Sequence, residues 1–172
     1  MIEVTPNLHP LFVHFPIALI SVSAFFHLVA RLLRGRPRYA VHCVVLAHAT
    51  LWLGALATLP TAWLGWLAFN SVEHDEAGHA AMLLHRAWAL SAVGLVVLLA
   101  GLDAWRHKVD ATPAWTCIGA VFAAWILVAV TAWHGGELVY RHGIGVMSLP
   151  DVHTEQDAVP HGANDHAHAH PH

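Results

Sequence analysis

The chain has 172 residues, of which 57% are hydrophobic and only 11% charged, and its mean hydropathy is +0.54. A soluble domain carries about 25% charged residues, so a small water-exposed fold cannot hide this much apolar surface, and a membrane protein of one domain plus a tail is expected. The net charge of −3, with no large basic patch, argues against a nucleic-acid partner. Cys43 and Cys117 stand far apart without CxxC or CxxCH, which signals neither a zinc knuckle nor covalent haem attachment.

The N-terminal "MIEVTPNLHP" has no Lys or Arg before the first apolar run. A secretory leader needs a basic start, so this run is expected to be retained as a span. Four runs with little or no charge follow one another: Leu11–Ala30, Ala40–Val72, Ala87–Leu102 and Ala111–Gly136. About 20 apolar residues cross a bilayer. The second run is too long for one simple span, and Pro60 is expected to end or kink it, leaving "TAWLGWLAF" near the interface with Trp63 and Trp66 as anchors. The third is short, but His85 and Arg86 at its start can snorkel outward. Trp105, Trp115 and Trp133 fall near helix ends, as an aromatic belt requires.

Arg31, Arg34, Arg36 and Arg38 occupy the first loop, and Arg106 and Lys108 the third, whereas the second loop, "NSVEHDEAGH", has neither residue type. The bias of Lys and Arg towards the cytoplasm puts loops one and three inside and both termini outside, on the periplasmic or external face of a bacterial inner membrane. After Pro150 the composition turns polar and ends in alternating histidines. This tail is expected to be disordered.

The 17 histidines carry the functional reading, because ionisable groups at membrane depth are costly and mark sites. At 1.5 Å of rise per residue, His14, His85 and His134 share one outer layer, with His9, His79 and His142 at its rim. His27 and His48 match in depth nearer the cytoplasm, with His42 beyond them. Three readings of the outer layer compete. The first is haem b: His14 and His85 as axial ligands, His142 as the rival ligand, His9 as a rim contact, and Arg86 and Arg141 on the propionates, with glycines admitting the flat ring. The second is a Cu, Ni or Zn site, since imidazoles suit these ions and Glu137 lies one turn from His134. The third is a bundle whose histidines only hydrogen-bond across helices. The inner pair is read as a cross-helix hydrogen bond, with a second haem as the alternative. In the tail, His161, His166, His168, His170 and His172 offer weak divalent-metal ligands.

Two segments, "LHPLFVHFPIALI" (Leu8 to Ile20) and "GGELVYRHGIGV" (Gly135 to Val146), resemble a family of bacterial membrane proteins known as domain of unknown function 2231. The likeness covers about residues 8–147. It implies a four-helix integral membrane domain with His9, His14, Gly135, Gly136, His142 and Gly143 matching the family pattern. A histidine opening helix three also belongs to that pattern, and His79 and His85 both compete for it. His134 and the tail depart from it. The resemblance supplies no activity.

The expected architecture is an all-α, integral membrane four-helix bundle over residues 1–148, with a disordered His-rich tail over 149–172. The leading function is a b-type cytochrome-like electron carrier without catalytic activity of its own. The alternatives are a metal-handling membrane protein and a subunit without cofactor. Expected partners are the lipid bilayer and a redox protein or another membrane subunit, with homodimerisation left open.

Overall fold

The computed structural model describes residues 7–106 and 112–146. Five α-helices follow in order: α1 (His9–Phe12), α2 (His14–Leu32), α3 (Pro37–Ser71), α4 (Glu76–Arg106) and α5 (Trp115–His142). The single turn of α1 runs on into α2 through Val13, so that His9–Leu32 reads as one span of 24 residues; the other spans have 35, 31 and 28 residues. At 1.5 Å per residue these are about 36 to 52 Å long, enough to cross a bilayer.

Short connections at 33–36 and 72–75 force neighbouring helices to run antiparallel. The bundle closes as a ring in which α2 packs on α3 and α5, and α4 packs on α3 and α5. One end of the bundle carries His9, the loop between α3 and α4, and the end of α5. We call it the terminal end. The opposite end carries Arg31, Arg34, Arg36, Arg38 and Arg106, and is the arginine end.

The core is built from small and medium side chains: Ile20, Leu51, Ala55, Ala92, Val96, Ala100, Ala124 and Val128. Large apolar residues such as Phe15, Phe25, Leu56, Leu90 and Ile126 point outward. This distribution suits a lipid solvent, which is as apolar as the core, so that close packing of small residues holds the helices together. Gly54 shows how close: a Cβ there would lie 2.6 Å from Ile20 Cδ1.

Three local features differ from, or sharpen, the sequence reading. First, α3 does not end at Pro60 but continues to Ser71. Proline removes the N–H that would pair with Leu56 O and crowds the turn before it, and helices in lipid tolerate this where neighbouring side chains add polar contacts. Hydroxyls bond to carbonyls on either side of Leu56: Thr58 Oγ1 donates to Ala55 O at 2.6 Å, and Thr61 Oγ1 to Ala57 O at 2.8 Å and across to Phe12 O at 3.3 Å. Second, α4 starts eleven residues before the uncharged run, at Glu76. Asp75 caps it, its Oδ1 accepting from Gly78 N at 2.7 Å, which satisfies an otherwise orphaned donor. Third, α5 stops at Gly143, which adopts φ 60°. Ile144 N donates to Leu138 O and Gly143 N to Val139 O, so carbonyls of the last turn are satisfied around a left-handed residue, a conformation that favours glycine.

Candidate metal centre

Near the arginine end, three helices bring His27 (α2), His48 (α3) and Asp103 (α4) together. Each can offer one ligand atom, and the three atoms lie within 4.8 Å of one another. The rings of His27 and His48 meet edge to face with centroids 5.6 Å apart. His27 is fully buried and His48 nearly so.

The hydrogen bonds fix the chemistry of each group. His27 Nδ1–H donates to Ser23 O, one turn earlier, at 2.9 Å. A carbonyl can only accept, so the ring proton sits on Nδ1 and the lone pair on Nε2. That Nε2 is buried and has no hydrogen-bond partner among the described residues. Leaving a buried polar atom unsatisfied costs roughly 1–3 kcal/mol, and such an exception asks for an explanation. Ser23 also ties α2 to α3, its Oγ donating to Ala47 O at 2.9 Å. His48 Nδ1 meets Asp103 Oδ2 at 2.7 Å, and the same oxygen accepts from Trp52 Nε1 at 2.9 Å. A carboxylate held against a histidine that faces a second imidazole is the pattern by which proteins orient metal-ligating histidines.

At the terminal end, the structure pairs His9 with His85, their ring centroids 6.5 Å apart. His14 is exposed on the bundle surface and has no hydrogen-bond partner among the described residues. Both arginines assigned to propionates have other partners. Arg86 lies over the rings of Trp66 and Phe69, at 4.8 and 5.3 Å. Arg141 is exposed and pairs with Glu137 at 3.4 Å, while His134 meets the other oxygen of Glu137 at 3.2 Å. His142 is exposed. His79 stacks on His74, with a 2.9 Å hydrogen bond between the rings. The tail ligands His161, His166, His168, His170 and His172 lie outside the described residues.

The sequence matches His27 and His48 in depth and suggests a hydrogen bond between them; the rings do meet, but His27 gives its Nδ1 to Ser23 and its Nε2 has no partner among the described residues, so that bond is not formed. Asp103 is absent from that reading. The third uncharged run ends at Leu102, so Asp103 reads as the start of a loop. The one signal for it is depth: Asp103 stands one residue beyond the apolar run, level with His27 and His48.

A family model described as "Predicted membrane protein (DUF2231)" matches residues 5–148. The chain belongs to this family. The match spans all four membrane helices of the DUF2231 domain, including His27, His48 and Asp103, and stops where the polar tail begins. No curated protein and no solved structure matches the chain.

Proposed function

We propose that this DUF2231 protein binds a divalent transition-metal ion within the bundle, through His27, His48 and Asp103. The single observation that carries the reading is the buried, unpartnered Nε2 of His27 within ligand distance of an imidazole and a carboxylate. Two imidazoles and one carboxylate oxygen form an N₂O donor set, which suits Zn, Cu or Ni and leaves a fourth position open. The carboxylate offsets part of the ion's charge, which matters where a bare ion would be costly. The His-rich tail would collect the same ions weakly in the aqueous phase. Arginine placement supports a bacterial inner-membrane orientation with the arginine end cytoplasmic, so that the centre lies towards the cytoplasmic leaflet.

The test is metal content. The full chain, purified in detergent and equilibrated with Zn or Ni ions, is analysed by plasma mass spectrometry beside His27→Ala, His48→Ala and a variant with alanine at the five tail histidines. One tightly held ion per chain is expected in the wild type and the tail variant, and none of that class in the two bundle variants. Equal tight binding by wild type and His27→Ala would refute the proposal.

A further inference from the structure

A second pair of histidines stands apart from the first. His9 enters the bundle from the single turn α1, and His85 from α4, at the terminal end. Their rings lie 6.5 Å apart between centroids and 78° from parallel. His9 Nδ1–H donates to Thr61 O at 3.0 Å and His85 Nδ1–H to Thr131 O at 3.1 Å. Both acceptors are backbone carbonyls, so both rings carry their proton on Nδ1 and their lone pair on Nε2. Neither Nε2 has a hydrogen-bond partner among the described residues. Both carbonyls belong to other helices, Thr61 to α3 and Thr131 to α5, so each ring is aimed by an element not its own.

The same two helices supply the room. A Cβ on Gly65 of α3 would lie 2.9 Å from His9 Cε1, and a Cβ on Gly135 of α5 would lie 3.3 Å from His85 Cε1. At the first distance an alanine could not be accommodated without moving the ring, and moving the ring would strain the bond to Thr61 O. One glycine and one carbonyl per histidine, drawn from α3 and α5, form a matched pair of seats.

We infer that His9 and His85 hold one metal centre between them, each through Nε2. Its class follows from what faces the pair. His134, the next titratable group beside His85, is committed to Glu137, and no carboxylate joins His9 and His85 in a group of three ligands among the described residues. Two neutral donors in an apolar bundle suit a centre of low net charge. A cuprous ion meets that requirement, and so does the iron of haem b, whose macrocycle carries its own negative charge; both accept imidazole. The inner cluster, with its carboxylate, selects a different class of ion, and this second site stands whether or not the first binds metal.

The test uses the full chain with alanine at the five tail histidines. One sample is titrated anaerobically with cuprous ion against a chromophoric chelator. A second, from haem-sufficient cells, is examined by reduced-minus-oxidised absorbance and haem extraction. One equivalent of copper or of haem b is expected, retained in His27→Ala and lost at least tenfold in affinity in His9→Asn, His85→Asn and Gly65→Ala. Asparagine places its amide nitrogen where Nδ1 stood, keeping a donor for the Thr61 and Thr131 carbonyls while removing Nε2, and circular dichroism checks each variant's fold. Independently of any variant, the bound centre should protect His9 and His85 of the parent chain from diethyl pyrocarbonate, as read by peptide mass spectrometry. Copper retention tells the ion from haem. Binding of neither, binding indifferent to the two asparagine changes, or equal modification of His9 and His85 with and without metal would overturn the inference.

Discussion

Gly54→Ala should loosen the seam that sets the inner centre. The new Cβ would sit 2.6 Å from Ile20 Cδ1, 3.1 Å from Ile20 Cγ1 and 3.4 Å from Leu19 Cβ. Ile20 is completely buried, so its side chain has no solvent or lipid space to move into, and α2 must shift away from α3. Overpacking of this kind costs about 1–3 kcal/mol. Ile20→Val removes Cδ1 and by itself costs about 0.5–1.5 kcal/mol. Together the changes should compensate, because the atom that meets the new Cβ is gone. The double variant should be no less stable than Gly54→Ala alone, a coupling within the roughly 0.5–3 kcal/mol seen for touching residues. Reversible unfolding by SDS titration in mixed micelles, followed by tryptophan fluorescence, completes the cycle. His27 lies about 10 Å along α2 from Ile20, and His48 about 9 Å along α3 from Gly54. Prying the helices apart should therefore also weaken ion binding in Gly54→Ala, with recovery in the double variant. Strict additivity of the two stability losses would refute the packing argument.

Asp103→Asn keeps the shape of the inner centre but removes its negative charge. Competitive titration should show a loss of divalent-ion affinity of at least about tenfold, since the ion loses an anionic oxygen ligand and His48 its carboxylate partner. His14→Ala, at an exposed position, should shift unfolding by no more than about 0.5 kcal/mol and leave ion content at both ends of the bundle unchanged. Gly143→Ala places a Cβ at φ 60° and should cost about 1–2 kcal/mol in the same titration. Gly136→Ala, where an added Cβ meets nothing within 4 Å, should be neutral or stabilising, since alanine is the better helix former.

The four spans were legible because apolar runs of bilayer length have few other uses. The helix ends were less so. Pro60 reads as an end or a kink, and α3 continues past it to Ser71, as a span in lipid can where hydroxyls such as those of Thr58 and Thr61 bond to neighbouring carbonyls. Which face of a helix turns inward was hardly legible at all. In a soluble helix the polar face gives the answer, whereas here lipid and core are equally apolar. By depth, His14 is the partner for His85 and His9 a rim contact; the packing of α1 against α3, with Gly65 leaving space for the His9 ring, brings His9 to His85 instead. Depth survives this ambiguity because it depends on rise alone, which is why His27 and His48 matched correctly. Asp103 was lost for another reason: a charge at the end of an apolar run resembles the beginning of a loop until the helix is seen to continue to Arg106.

X-ray absorption at the zinc edge puts the inner centre to the most direct trial. The full chain with alanine at the five tail histidines is loaded with one equivalent of zinc, beside the same chain carrying His27→Ala. The account predicts a first shell of nitrogen and oxygen at about 2.0–2.1 Å, no sulfur, and outer-shell scattering from two imidazoles, with His27→Ala losing the zinc. Zinc held with an unchanged spectrum after His27→Ala, or no zinc held by the parent chain, would contradict it.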